Sequence, residues 1–468
     1  MTRPASIPPD LWDAIPSALR PAIAAVVAGL EARIADLEAR LNQNSSNSSK
    51  PPSSDPPSVK PAPPKLPSGQ KKGGQPGHRR HIRPELPPDT VVDLRADTCG
   101  HCHARLCGRD PEPLVHQVIE LPPVRPHVTE YRRHRLECPR CGRHACPTLP
   151  SGVRGGYGPR VQAVCGLLSG AYRIGKRGVA RLMTDLFGVP ICPAAVCKLQ
   201  HQNAAALEPI AREVHAHVVQ KPANVDETGW REGSRRGWLW TAVTDAVSVF
   251  VVRLSRARSV LAELIPGPPG ILTTDRYGAY DHLPPGRRQV CWAHLRRDFQ
   301  AMIDRANAGS ELGGELLAHA NILLSHWKRV RDGTLTQRGF RSQYLTWIRR
   351  EVRHLLERGS ACGCAKTAAV CRELVAIEPA LYTFAAVPGV EPTNNAAERA
   401  LRHAVCWRKT SFGTDSASGS RFVERILTVV ASCRQQGRNV LAFLTDAVHA
   451  ATTGAQTPSL IPRNAPAP

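Results

Sequence analysis

Between residues 221 and 275 the chain reads as a small sheet, and the order of its pieces limits what it can fold into. PANVDETGW (222–230), GWLWTAVTD (237–245) and VSVFVVRL (247–254) are rich in β-branched and aromatic residues and are bounded by turn formers. A helical stretch, ARSVLAELI (257–265), follows Ser255, and a short apolar strand, GILTTD (270–275), closes the unit at Asp275. The order is strand, strand, strand, helix, strand. Helical patterns stand on both sides: 156–220 before it and most of 293–385 after it, with apolar residues at helical spacing in ELLAHANILLSHWKRV and SQYLTWIRREVRHLLER. The expectation is a multidomain α/β protein.

Two acidic residues hold marked positions in this unit. Asp226 lies on the first strand and Asp275 ends the fourth, so pairing of those strands brings both carboxylates to one edge. Glu398 sits one turn into a later helix that opens at Asn394–Asn395, whose side chains are expected to cap free backbone N–H groups. Three carboxylates gathered at one edge repel one another. Divalent cations relieve that repulsion, and Mg²⁺ and Mn²⁺ both favour oxygen ligands. Two such ions roughly 3.5–4 Å apart activate the attacking oxygen and stabilise the leaving one in a phosphodiester displacement. Taken singly, each residue has a plainer role: Asp226 as a turn cap, Asp275 as a loop start, Glu398 as the partner of Arg402 four residues on. Their joint order favours the metal site. Glu227 is expected on the opposite face, Asp245 and Asp281 read as turn and loop residues, and Trp292 reads as core.

Charge points to the partner. Lys plus Arg outnumber Asp plus Glu by 62 to 39, a net charge of +23, and a balance that basic attracts nucleic acid through counterion release. No long apolar run is present; VSVFVV at 247–252 is typical of the short ones, which speaks against a membrane role. The first residues, MTRPASIPPDLWDAI, lack a secretory pattern, so a cytoplasmic, nucleoid-associated protein is expected. Fifteen cysteines in a reducing compartment argue for metal ligands and buried thiols.

The first part of the chain divides readily. Residues 17–41 read as a helix with Ile23, Val27, Leu30, Ile34, Leu37 and Leu41 on one seam, either a short coiled coil or a helix packed on its own protein. Residues 42–90 are a Pro/Ser-rich basic stretch expected to be a disordered linker, with Lys71–Lys72 and His78–His81 available to phosphates. Residues 91–150 carry two CxxC knuckles, Cys99 with Cys102 and Cys138 with Cys141. Two such pairs close a tetrahedral structural Zn²⁺ site with no open position. His101, His103, Cys107, His144 and Cys146 are the alternative ligands, and Gly142 lets backbone N–H groups turn toward sulfur. VHQVIEL and VTEYRRHRL between the knuckles are expected to form a hairpin. Within 156–220, GVARLMTDLFG (178–188), VPICP (189–193) and AAVCKLQHQN (194–203) match a helix-turn-helix, and equally an ordinary helical hairpin. In the first case Lys198, Gln200, Gln202 and Asn203 face DNA.

With these residues in view, the sequence resembles the insertion sequence 66 family of DDE transposases. NQNSSNSSKPPSSD after a short zipper-like helix is similar to that family's N-terminal signature. The paired knuckles resemble its zinc-binding domain. VDETGW, LTTDRYGAY, CWAHLRRDF and NNAAERALR resemble its catalytic blocks in the family's order, and RKTSFGTDSASGSRF resembles its C-terminal end. The resemblance implies an RNase H-like core in two parts, 221–300 and 386–450, split by a helical insertion at 301–385 and followed by a disordered tail at 451–468. It implies Asp226, Asp275 and Glu398 as catalytic ligands of two Mg²⁺ ions. It implies hydrolysis at the element's ends, then attack of the freed 3′-OH on target DNA. Double-stranded DNA is the expected partner, with a homo-oligomer on it and small accessory proteins of the same element. His294, Arg296 and Arg297 are expected to touch phosphate or a metal-bound oxygen and Arg399, Arg402, Arg408 and Lys409 to hold DNA near the active edge, or all of them to form a solvated basic face. The competing reading is a catalytically inactive, zinc-dependent DNA-binding regulator.

Overall fold

A computed structural model describes residues 4, 6–44, 48–50, 83–108, 110–153, 155–267 and 270–462. The chain forms two compact units, one of Lys60–His127 and one of Met1–Val59 with Val128–Pro468. The basic clusters Lys71–Lys72 and His78–His81 of the expected linker lie outside the described residues.

In the smaller unit the described residues form no strand beyond an isolated bridge between Thr98 and Arg105. The hairpin expected from VHQVIEL and VTEYRRHRL is absent: Leu114, Val118 and Leu121 are exposed, and so is Val128 in the larger unit. Alternating apolar residues make a strand only where a core receives them, and here these side chains stay exposed while Gln117 bonds instead to Leu86. A single short pair forms nearby in sequence, β1 (Leu136–Glu137) with β2 (His144–Ala145), around the second knuckle.

The larger unit begins with α1 (Pro9–Ala14) and α2 (Arg20–Leu41). Leu30, Ile34, Leu37 and Leu41 of the predicted seam are exposed. Next come α3 (Pro159–Gly170), α4 (Lys176–Phe187), ended by a left-handed Gly188, and α5 (Pro193–Val219). The expected short second helix is instead the start of this 27-residue element. Val196, Leu199, Asn203, Leu207, Ile210 and Val214 are buried along it at spacings of three and four. Asn203 therefore faces inward, donating to the Gln162 and Leu199 carbonyls at 2.9 Å, and Gln200 donates to Ser169 Oγ at 2.9 Å. Those two are not free for DNA. Lys198 and Gln202 are exposed.

The sheet follows: β3 (Ala223–Glu232), β4 (Arg235–Val243), β5 (Ser248–Arg253), α6 (Arg258–Leu264), β6 (Leu272–Thr274) and β7 (Arg288–Val290). Its order is β5-β4-β3-β6-β7, with β3, β4 and β5 an antiparallel meander and β6 and β7 parallel additions beside β3. Strand alternation splits the core. Trp230, Leu239, Phe250 and Val252 pack on Leu401 and Ala404, while Val225, Trp240, Ala242 and Val249 join α5, α6 and the last helices. After β7 a block of helices, α7 (Trp292–Asp304), α8 (Ser310–Arg331), α9 (Gln337–Phe340), α10 (Thr346–Ser360), α11 (Ala365–Ala376) and α12 (Thr383–Ala386), builds a second core. Trp327 meets Phe384 edge-on at 4.8 Å in its centre, and Trp292 is fully buried where the block joins the sheet.

The chain returns through α13 (Asn395–Ser411), α14 (Ala417–Gln435) and α15 (Val440–Thr453). The segment after 451, expected to lack structure, is ordered as far as it is described. Leu460 is fully buried, its carbonyl accepts from Gln436 at 2.7 Å, and Arg438 donates to Ser459 O at 2.8 Å. One apolar anchor and satisfied backbone carbonyls hold an extended strap that has no periodicity to reveal it.

Candidate active site

The parallel pairing of β3 with β6 sets Ala223 opposite Leu272 and Asn224 opposite Thr273. Asp226 and Asp275 each lie two residues past the last of these pairs, on neighbouring strands, and the Asp275 charge acts on Asp226. Each carboxylate is oriented by a backbone N–H. Asp226 Oδ1 accepts from Glu227 at 2.9 Å, and Asp275 Oδ1 accepts from Tyr277 at 2.9 Å. Among the described residues no Arg, Lys or His forms an ion pair with either. Burial, then the charges of Glu227, Asp275 and Glu398, hold the Asp226 carboxyl well above the usual aspartate range. Arg256 and Arg297 pair with the neighbouring Glu227 and Glu398, and neither pairs with Asp226.

Glu398 reaches the same edge from α13. Its helix is tied to β3 by Asn394, which is fully buried. The Asn394 side chain makes no N-cap bond; its Nδ2 donates to Val225 O at 3.4 Å, and its backbone N–H donates to Cys291 Sγ at 3.3 Å. The expected cap is thus a brace between the helix start and the strand that bears Asp226. Glu398 does not turn to Arg402. Arg297 Nη2 donates to its Oε1 at 3.3 Å, and His294 Nε2 lies 3.7 Å away. Burial and then the Arg297 charge lower His294 to about 4, so its ring is neutral near pH 7. Among the described residues no three His, Cys, Asp or Glu side chains are gathered tightly enough to hold an ion as they stand.

Glu227, expected on the opposite face, and several groups that the sequence left unmarked frame the edge. Glu227 is closed off from solvent; Tyr280 donates to its Oε2 at 2.7 Å and Arg256 to its Oε1 at 2.7 Å. Arg256 also lies 3.6 Å over the Tyr277 ring. The buried Arg288 donates to the Asp275 carbonyl at 2.8 Å and to Thr274 Oγ1 at 3.1 Å. Arg276 ties the chain just past Asp275 to Asp298 of α7 at 2.9 Å and to Glu373 of α11 at 2.6 Å. A buried carboxylate bonded to a buried phenol is costly to disturb. Tyr280→Phe is therefore expected to destabilise the fold by about 1–3 kcal/mol, measured by denaturant unfolding.

Of the expected DNA-facing cations, Arg296, Arg399, Arg402 and Lys409 are exposed. Arg408 is not free: its Nη1 donates to Gly229 O of β3, where only the missing Cβ of Gly229 leaves room for it. Asp281 pairs with Arg288 at 3.6 Å, away from the carboxylate edge.

The knuckles share a local form. Cys99 N–H donates to Ala104 O and His103 N–H to Cys99 O; Cys138 N–H donates to Arg143 O and Gly142 N–H to Cys138 O. Both turns use a left-handed residue, His103 in the first and Gly142 in the second. Backbone N–H groups of Cys102 and His101 lower the Cys99 thiol, and those of Arg140 and Cys141 lower Cys138. Thiols that ionise readily beside inward-turned N–H groups are suited to Zn²⁺.

A family model described as Transposase IS66 family matches residues 157–421. The chain belongs to that family. The match spans the sheet, the helical block and the Glu398 helix. A second model, the zinc-finger binding domain of transposase IS66, matches residues 96–142, covering both knuckles of this IS66 family member. A third, a family described as of unknown function (DUF6444), matches residues 8–84. A relative described as "Uncharacterized protein y4qI", from Sinorhizobium fredii, is 26% identical over 231 residues, 45% of this chain and 42% of the relative. The chain thus spans less than half the length of that relative. No described helix is long and apolar enough to cross a membrane.

Proposed function

We propose that this protein is a DDE transposase that binds the ends of its element, hydrolyses phosphodiester bonds there and joins the freed ends to target DNA. The carrying observation is the convergence of three carboxyl groups on one sheet edge: Asp226 on β3 is buried, feels the charges of both Asp275 and Glu398, and has no ion-pair partner among the described residues. A donor set made only of carboxylate oxygens, with no protein cation on its two aspartates, fits divalent magnesium or manganese. The strand order β5-β4-β3-β6-β7, with helices interposed before α13, supports an RNase H-like core holding a helical insertion.

When bound, two Mg²⁺ ions would supply Lewis acidity to the attacking and leaving oxygens. The chain's own residues do the remaining work. Asp226, Asp275 and Glu398 would hold the ions. Arg297 holds Glu398 near the edge and can release it. The neutral His294 ring donates or accepts a hydrogen bond without adding charge. Arg399, Arg402 and Lys409 line the exposed side of α13, and Lys198 and Gln202 that of α5, as phosphate contacts. Cys99, Cys102, Cys138 and Cys141 hold a structural zinc. DNA-bound oligomers, accessory proteins of the element and a nucleoid location belong to the same reading.

The test is a purified-protein assay with a labelled duplex carrying the inverted repeats that flank the gene. Mg²⁺-dependent cleavage followed by joined products is expected. Tight binding with no metal-dependent cutting would leave the inactive regulator; cutting without joining would leave a nuclease.

A further inference from the structure

Phe412 stands out on the catalytic unit. It ends α13 in the left-handed region, at φ 61° and ψ 2°, where an aromatic side chain is strained, and its side chain is 75% exposed. The loop around it is fixed. Thr414 N–H donates to Arg231 O at 3.0 Å, Gly233 N–H donates to Thr414 O at 2.7 Å, and Trp230 Nε1 donates to Thr414 Oγ1 at 3.3 Å. Gly413 packs its backbone so closely on β3 that a Cβ there would meet Arg231 O at 2.3 Å. A strained aromatic held rigidly into solvent gains nothing for the fold, so its benefit lies in what it meets.

The surroundings name the partner. Beside the ring lies a cavity of about 200 Å³ lined by Arg231, Ser411, Thr414 and Asp415. Arg231 and Lys409 are exposed, and among the described residues neither forms an ion pair. An apolar ring next to free cations suits a base stack flanked by phosphates. The Ser411 and Thr414 hydroxyls are bonded within the chain, which leaves the exposed Arg231 guanidinium and Asp415 carboxylate as the donor and acceptor offered to the edge of a base.

We propose that Phe412 enters the DNA base stack as a wedge and that the displaced base enters the Arg231–Asp415 cavity. This rests on the reading of the protein as a transposase acting on DNA. β3 sets the position. Arg231 is five residues beyond Asp226, about 17 Å along the strand, so a duplex laid along β3 would meet the wedge about five base steps from the bond cut at the carboxylate edge.

The experiment uses the full chain and duplexes of the flanking inverted repeat with 2-aminopurine placed at successive positions, in the Asp226→Asn background so that no cleavage intervenes. A several-fold rise in fluorescence is expected at one position about five base pairs from the cut site. Phe412→Gly is expected to abolish that rise and weaken binding about tenfold, the size of one stacking contact. The same substitution should raise the melting temperature, because glycine fits a left-handed position freely. Phe412→Trp should keep the fluorescence. A complex with unchanged fluorescence at every position overturns the inference alone. A Phe412→Gly variant that loses stability along with binding marks a packing residue and overturns it too. Altered self-association with unchanged fluorescence assigns the ring to a second copy of the chain and overturns it as well. No complex at all with the wild-type chain sinks the transposase reading and this inference together.

Discussion

Asp226→Asn is expected to reduce strand cleavage on the order of a thousandfold, as a loss of several kcal/mol of metal-derived stabilisation implies. The same change should stabilise the metal-free protein, and this opposite sign makes the prediction demanding. Burial and the charges of Glu227, Asp275 and Glu398 raise the folded-state pKa of Asp226. A carboxylate raised in the folded state binds its proton more tightly there than when unfolded. Stability therefore falls as pH rises from the ordinary aspartate range through the folded value, and it stays lower above that. Asparagine carries no charge to repel its neighbours, so the variant should melt higher than wild type in metal-free buffer at neutral pH. Mg²⁺ should reverse the ranking. A ligand that binds only the folded state at about 100 times its dissociation constant adds about 2.7 kcal/mol, and the variant lacks most of that gain. Thermal melts with and without Mg²⁺, run beside the cleavage assay, check both halves. An Asp226→Asn protein that cuts normally, or whose melting temperature responds to Mg²⁺ as wild type does, would remove Asp226 from the metal site.

The carboxylate edge was legible because its signals are local. Strand alternation and turn formers located β3 and β6, and the polar opening before Ala396 located α13. Its supports were not legible, because they depend on pairings far apart in sequence. Nothing near Glu398 announces Arg297, one hundred and one residues earlier, and nothing near Asn394 announces Val225. Asn203 is a different case. It sits in phase with Val196, Leu199, Leu207 and Ile210, so helical periodicity taken over all of α5 would have turned it inward. Reading the helix as ending at 203 hid that phase. Burial decided the expected hairpin of the zinc region, since a period-two pattern has no force without a surface to pack on.

Zinc removal is expected to have the largest structural effect elsewhere in the chain. The residues around the knuckles have almost no core: Leu114, Val118, Leu121 and Leu136 are exposed, and the local strands β1 and β2 are two residues each. Segments this small with so little core gain little from packing alone and rely on a metal or disulfide. The cysteines are free. A structural zinc contributes about 10–16 kcal/mol at neutral pH in comparable small domains, more than any packing available here. Cys138→Ser, or a strong chelator, is therefore expected to release one zinc per chain and expose residues 96–142 to protease. The main thermal transition should be unchanged, because the sheet and helical cores hold 157–421 independently of the knuckles. Metal content, limited proteolysis and calorimetry read the three parts separately. Serine at Cys99 and serine at Cys138 should act alike if both knuckles grip one ion. Zinc retained at full occupancy in either variant would shift that ligand position to Cys107, Cys146 or a neighbouring histidine. Loss of the main transition along with the metal would show that the zinc also supports the catalytic unit, contrary to the separate cores on which this prediction stands.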